Sequence, residues 1–394
     1  MPALAGHLSQ ALDHLAARQD PAAGGFGADG GTDPAYTAWA AMSVAAARED
    51  AAGWRAGRRS LRDAVAATVD RDGVGGTARL AVAASALGLD PRDTGGRNLV
   101  RAIIRAQAPG GAIGPDAATT AWGVIALSSA GLGPGWRTVA DGAAALERMQ
   151  RPDGGWSILE DGGPSTPITT ADAIQALVAA GRVPAAGSLR RARAYLLSVQ
   201  NPDGGFPTVA EGPSTALTTA WVTLAIRALG ERSSRPPWGD RSGGPLALLA
   251  RLQGSDGGVR NAAGSTAPSV WATSQAALAF AGKPLPLAGP VPRAAPPPDR
   301  APRVLERTPL GGGRVDGRLV ARYADDEGGT GIDPESVRLH VEGRDVTLMA
   351  RVTSQDLVLS GLAIPSGTVR VRLTVADRAG NVTTVRWRVV GADR

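Results

Sequence analysis

The sequence has no cysteine in 394 residues, which excludes disulfides and thiolate metal sites. Its three histidines, His7, His14 and His340, are too dispersed to suggest a zinc site, so no metal and no cofactor are expected. Lysine is nearly absent: Lys283 stands alone, and arginine supplies the rest of the 42 basic residues against 36 acidic ones, for a net charge of +6. Arginine use this complete reads as genome composition. The arginines are scattered along the chain, without a dense run or interleaved aromatics, so a nucleic-acid partner is not expected. Aromatics are only 4% of the residues. No apolar run of about 18 residues occurs, so no transmembrane segment is expected. The opening stretch Met1-Pro2-Ala3-Leu4 lacks the basic and apolar regions of a signal peptide.

What is present is a repeat. Met149-Gln150-Arg151-Pro152-Asp153-Gly154-Gly155-Trp156 matches Val199-Gln200-Asn201-Pro202-Asp203-Gly204-Gly205-Phe206, and Leu252-Gln253-Gly254-Ser255-Asp256-Gly257-Gly258-Val259 follows. Weaker copies run from Gln19 through Gly24-Gly25-Phe26 and from Gln107 through Gly110-Gly111-Ala112-Ile113, with a degenerate one at Asp72-Gly73-Val74-Gly75-Gly76. The strong copies recur about every 50 residues, the period of a helical-hairpin array. Upstream of each lies an amphipathic pattern, as in Leu189, Ala192, Leu196 and Val199. Downstream lies a pattern apolar on nearly every side, as in Thr120–Leu127, Thr170–Ala180, Thr219–Leu229 and Val270–Phe280. The first kind predicts outer helices and the second buried inner ones. Ser188 is expected to cap one outer helix, Thr138 with Asp141 to form a capping box on another, and Pro245 to occupy a first helical position. Gly88, Gly131, Gly181, Gly230 and Gly282 are placed to end the inner helices in the left-handed conformation. Within the motif, Gly-Gly allows a tight turn, Asp makes an Asx turn, the aromatic residue packs over the loop, and Gln reaches free backbone groups at a helix end. These are structural roles. Six hairpins predict an (α/α)6 toroid, closed in preference to an open superhelix.

Pro284 to Pro302 is rich in proline and predicts an extended linker. Beyond it the apolar period becomes two, in Val337-Leu339-Val341, Val369-Val371-Leu373-Val375 and Val385-Trp387-Val389, with turns at Glu342–Asp345 and Asp377–Asn381. The organisation expected is therefore a toroid over 1–283, a linker over 284–302 and an all-β sandwich over 303–394.

The Gln-x-x-Asp-Gly-Gly-Trp/Phe repeats resemble those of the terpene cyclase and protein prenyltransferase superfamily, squalene–hopene cyclases in particular. The segments Thr330–Val337 and Val375–Asn381 resemble bacterial Ig-like modules, which occur on exported stalks and adhesins. The first resemblance implies an apolar cavity for an isoprenoid chain. Squalene–hopene-type cyclases protonate an alkene with an Asp-x-Asp-Asp motif at the start of an inner helix. Aligned through Thr170-Ala171 and Gln175-Ala176-Leu177, those positions here are Thr166, Pro167, Ile168 and Thr169, and no carboxylate remains. Prenyltransferases hold zinc with Asp, Cys and His, which a chain without cysteine cannot do.

One constellation remains open. After the start of each inner helix stand Trp39, Arg79, Trp122, Asp172, Trp221 and Trp271. They either form an aromatic belt around a binding cavity, with Asp172 as a weak catalytic candidate, or fill space between the helical layers, with Asp172 placed for the helix dipole. The expectation is a non-catalytic binding protein, exported or on the cell surface. It would hold an apolar small molecule such as an isoprenoid, or a partner, in the toroid, and a protein through the Ig-like domain. A true start upstream of Met1, carrying an export signal, would reconcile this with the opening stretch. An isoprenoid cyclase or transferase, in the cytoplasm, is the alternative.

Overall fold

The computed structural model describes residues 2–68, 73–159, 163–239, 243–287, 300–326, 330–361, 364–378 and 380–391. The chain divides into two compact units, Met1–Ala294 and Ala295–Arg394. Much of the proline-rich segment, residues 288–299, lies outside the described residues, as do Met1, Asp72 and Ala379.

The first unit contains twelve helices among the described residues. The inner ones are α2 (Pro34–Ala46), α4 (Gly73–Ala86), α6 (Ala117–Ser129), α8 (Pro167–Ala179), α10 (Ala216–Ala228) and α12 (Val270–Ala281). Their alanine-rich sequences are buried almost throughout, which lets neighbouring backbones approach closely. The outer ones are α1 (Pro2–Ala16), α3 (Leu61–Ala67), α5 (Leu99–Arg105), α7 (Arg137–Met149), α9 (Gly187–Ser198) and α11 (Pro245–Leu252). Each inner helix packs on the next in chain order, and α12 packs on α2 as well as on α10. The first outer helix, α1, lies against α12, the last inner one.

Side-chain chemistry sets the boundaries. Asp33, Asp116, Thr166, Thr215 and Ser269 cap α2, α6, α8, α10 and α12 by accepting backbone N–H bonds. Gly88, Gly131, Gly181, Gly230 and Gly282 follow the inner helices at φ between 62° and 91°. Pro245 opens α11 behind Gly244. Three local expectations fail. The helix α7 starts at Arg137, so Thr138 already has helical geometry and cannot cap; Asp141 instead pairs with Arg137 at 3.3 Å. The helix α9 starts at Gly187, so Ser188 lies inside it, and its hydroxyl contacts Glu147. Gly73–Gly76, read as a degenerate turn, form the first turn of α4.

The glutamines of the motif join consecutive hairpins. Gln150 Nε2 donates to Gly154 O in its own turn and to Ser188 O in the next outer helix, both at 2.8 Å. Gln107 does the same to Gly111 and Thr138, Gln200 to Gly204 and Trp238, and Gln19 to Gly24 and Trp54. Gln253 donates to Gly257 O and, at 2.9 Å, to His7 O in α1. Asp153, Asp203 and Asp256 each accept the N–H two residues on, from Gly155, Gly205 and Gly258. The turn glycines are forced by close approach as well as by φ. A Cβ on Gly154 would lie 2.5 Å from the Arg191 carbonyl oxygen of the next outer helix. Trp156 and Phe206 are fully buried, and Trp156 Nε1 donates to Leu146 O at 2.8 Å.

The second unit holds two sheets. One has the order β1 (Arg303–Thr308), β3 (Arg318–Ala324), β7 (Asp356–Ser360), β6 (Ala350–Val352). The other has the order β2 (Arg314–Val315), β9 (Val382–Gly391), β8 (Gly367–Ala376), β4 (Arg338–Val341), β5 (Arg344–Asp345). Glu342 and Gly343, both at positive φ, make the tight turn from β4 to β5. Inward Val, Leu and Trp387 alternate with outward Arg and Thr and form a separate core.

Candidate functional site

The residue that follows the first turn of the inner helices decides what lies at their centre. Trp39 comes from α2, Trp122 from α6 and Trp221 from α10, and no two of these helices are neighbours in the packing order. Yet their rings touch. Trp39 meets Trp122 edge-on at 5.5 Å and Trp221 edge-on at 5.0 Å, and Trp122 stacks on Trp221 at 5.4 Å. Side chains from alternate helices meet only in the space the inner helices share. The indoles therefore point away from the outer layer and do not fill the gap between layers. Trp271 on α12 joins the group at 6.3 Å from Trp39.

Beside this cluster is a cavity of about 390 Å³, at the end where the inner helices begin. The four tryptophans, Arg79, Asp116, Asp172 and Gln275 line it together with Ile158, Ile168 and Leu217. All six belt positions from the sequence, Trp39, Arg79, Trp122, Asp172, Trp221 and Trp271, are thus in one place. Of the Gln-x-x-Asp-Gly-Gly copies, only the degenerate one reaches the lining, through Gly75 in the first turn of α4.

Asp172 is the perturbed carboxyl of this cavity. It is 5% exposed, and its Oδ1 accepts a 2.5 Å bond from Trp221 Nε1. Burial pushes its carboxyl up to about 7, against the opposing pull of the Trp221 N–H and the Arg79 charge. Asp172 is past the first turn of α8, where the dipole effect has faded, so a dipole role does not explain its place. Arg79 lays its guanidinium 5.7 Å from the Trp122 ring centroid. Trp39 Nε1 and Arg79 Nε are buried without a hydrogen-bond partner among the described residues. With its amide turned to suit its neighbours, Gln275 accepts from Trp271 Nε1 at 2.8 Å and donates to Leu217 O.

The segment Thr166-Pro167-Ile168-Thr169 spends its hydroxyls on α8. Thr166 Oγ1 accepts from Thr169 N and donates to Thr169 Oγ1 at 2.9 Å. Ile168 and Thr169 reach the cavity wall. The chain leaving α12 turns back onto α8, where Leu285 N donates to Gln175 Oε1 at 3.1 Å, one turn beyond Asp172. Leu285 and Leu287 are buried in the helical core. Sequence reasoning missed Asp116, Gln275 and this return. The one signal available was an isolated glutamine in an otherwise apolar inner helix, which both Gln175 and Gln275 are. Among the described residues no cluster of His, Asp and Glu could hold a metal ion. No helix among them is long and apolar enough to cross a membrane.

No protein-family model matches this chain. No curated protein matches it either. Among solved structures, the chain is similar to the type II terpene cyclase MstE from Scytonema, at 14% identity over 71% of this chain and 98% of that one, with a TM-score of 0.49. The ent-copalyl diphosphate synthase from Streptomyces platensis matches at 18% identity over 63% of this chain and 50% of that one, with a TM-score of 0.44. CopC from Methylosinus trichosporium OB3b matches at 15% identity over 23% of this chain and 92% of that one, with a TM-score of 0.19.

Proposed function

We propose that residues 1–283 form a closed (α/α)6 toroid that binds a small apolar molecule with one hydrogen-bonding head group, and does not turn it over. The observation that carries this reading is the meeting of indoles from alternate inner helices beside a buried, protonatable Asp172. The indoles and aliphatic side chains offer an apolar wall, and Trp39 Nε1–H offers an unsatisfied donor to a head-group oxygen. Alkene protonation needs an acid stronger than an ordinary carboxyl. A carboxyl that keeps its proton to about pH 7 is a weaker one. The hydroxyls of Thr166 and Thr169, committed to the helix start, do not replace it.

The test is binding of an uncharged isoprenoid alcohol such as geranylgeraniol, read by tryptophan fluorescence and by native mass spectrometry of the full chain. Saturable binding that Trp39→Phe weakens supports the reading, because the Phe ring keeps the shape and loses the donor. Absence of binding to it and to a total lipid extract ends it.

The second reading is an isoprenoid cyclase or transferase. It is favoured by the two carboxyl groups, Asp116 and Asp172, that line one cavity. A carboxyl titrating near 7 is suited to general acid–base work at neutral pH. Squalene and polyprenyl diphosphates incubated with the protein would yield products, and Asp172→Asn would abolish them. The β unit, in this proposal, is an Ig-like spacer or adhesive arm of a protein displayed outside the cell, able to engage a protein partner. The two Ig-like segments support that placement, and fractionation of the native protein with N-terminal peptide mapping tests it.

A further inference from the structure

The strand period brings together arginines that look scattered in the sequence. On β8 and β9 the outward positions include Arg370 and Arg372, and Arg386 and Arg388. The antiparallel register sets Arg370 directly opposite Arg388 and Arg372 directly opposite Arg386. On the next strand, β4, His340 stands opposite Arg372. These residues line an open depression of about 630 Å³ with Glu342 and Gly343 at one side. Like charges directly opposite on a sheet are destabilising, and here two such pairs are adjacent. Only Arg370 has a carboxylate, Glu342, at 3.1 Å. Among the described residues Arg372, Arg386 and Arg388 take part in no ion pair.

We infer that this face of the five-stranded sheet is a binding site for a linear phosphate polymer without bases, with the Arg370–Arg388 and Arg372–Arg386 pairs each clasping successive phosphates. Guanidinium groups match phosphate oxygens two at a time, and a phosphate between two opposed arginines turns their repulsion into attraction. Trp387, the one aromatic residue of β8 and β9, borders the depression, but its ring belongs to the inward core and the residue is only 7% exposed. The face therefore presents no exposed ring on which bases could stack, as single-stranded nucleic-acid binders do. It also carries no aromatic anchor for a membrane interface. The site is independent of the cavity in the helical unit.

The experiment titrates the full chain with medium-chain inorganic polyphosphate, at several salt concentrations. Parallel titrations use a single-stranded oligodeoxynucleotide of equal phosphate number and vesicles of phosphatidylcholine with phosphatidylglycerol. Polyphosphate is expected to bind tightest, with affinity falling steeply as salt rises. The double variant Arg372→Glu, Arg386→Glu should lose about tenfold or more of that affinity and flatten the salt slope. The control Arg58→Glu, Arg59→Glu makes the same charge change at exposed positions in the helical unit and should bind as the parent does. Arg386→Glu alone should raise the melting temperature of the β unit while weakening binding, because it places a carboxylate opposite Arg372. Equal weakening in the control would show that net charge alone draws the polymer, and would overturn the site. Equal or tighter binding of the oligonucleotide or the vesicles would overturn the choice of occupant, and a melting temperature lowered by Arg386→Glu would overturn the argument from repulsion.

Discussion

At the turns between hairpins, each motif glutamine donates two buried or part-buried bonds to backbone carbonyls, and Asp153, Asp203 and Asp256 each accept a backbone N–H. At the start of the inner helices, Trp39 Nε1 and Arg79 Nε donate to nothing described, and burial pushes the Asp172 carboxyl up to about 7. Both regions are made of Asp, Trp and polar side chains, the turns part-buried with these three aspartates exposed and the cavity more deeply buried around Asp172. They differ in satisfaction. A buried polar group that the protein itself satisfies stabilises the fold, and one left unsatisfied weakens it unless something else binds there. The turns are therefore read as architecture and the cavity as function.

The largest effect should come from the turns. Trp156 is fully exposed to no solvent, fills the space behind its loop and donates to Leu146 O. Trp156→Ala removes the ring and orphans that carbonyl, at a cost of about 3–5 kcal/mol. Denaturant unfolding of the helical unit measures it. A loss well below 1 kcal/mol would mean that the turns do not hold the hairpins together, and the contrast with the cavity would collapse.

The cavity should act in the opposite sense. In the unfolded chain Asp172 ionises near pH 3.9, as an ordinary aspartate does, whereas in the folded chain it keeps its proton to about pH 7. Between those values the folded state holds more protons than the unfolded state. Stability therefore falls as pH rises from about 4 to about 7, by up to about 1.4 kcal/mol per pH unit, and levels off above. Asn at this position can still accept from Trp221 Nε1 and has no proton to lose. Asp172→Asn should flatten the profile, so that its stability relative to the parent rises across that window. Thermal melts at half-unit steps of pH would show it, and parallel profiles for the two proteins would remove the case for a strained, functional carboxyl.

The two regions were not equally legible in the sequence. The turns could be read because their physics is local: a glycine pair, an aspartate two residues from its acceptor N–H, and an aromatic residue beside them. The amphipathic and all-apolar helices followed from period alone. The caps at Thr138 and Ser188 misled because each helix has its N-cap two residues earlier, at Trp136 and Ala186, which turns the expected capping position into an interior one. The belt positions were visible as a column of tryptophans, but whether they faced the centre or the outer layer depended on rotation about the helix axis, which an apolar helix does not reveal. Asp116 caps α6, and nothing in the sequence shows that a cap also borders a cavity. The return of Leu285 to Gln175 joins residues 110 apart and leaves no local trace.

The smallest of the effects bears on closure itself. Gln150 and Gln253 make equivalent pairs of bonds, but Gln150 links neighbouring hairpins in the middle of the array, while Gln253 reaches His7 O in the first helix. Gln253 Oε1 also meets His7 Nδ1 at 2.5 Å. Beside it, His14 Nδ1 lies 3.2 Å from Asp256 Oδ2 in the last motif, and burial lowers the pKa of that histidine. In a closed ring each glutamine leaves two part-buried carbonyls without their donor when it is lost, so Gln150→Ala and Gln253→Ala should each cost about 1–3 kcal/mol. In an open array the first and last hairpins would not meet, the His7 carbonyl would be free in solvent, and Gln253→Ala would cost only the bond within its own turn. Measuring both variants under the same conditions separates the cases, because Gln150→Ala calibrates what a stapling glutamine is worth. A Gln253 cost near zero beside a full Gln150 cost would leave twelve helices but no ring, and without a ring the indoles of α2, α6 and α10 would have no common centre in which to meet.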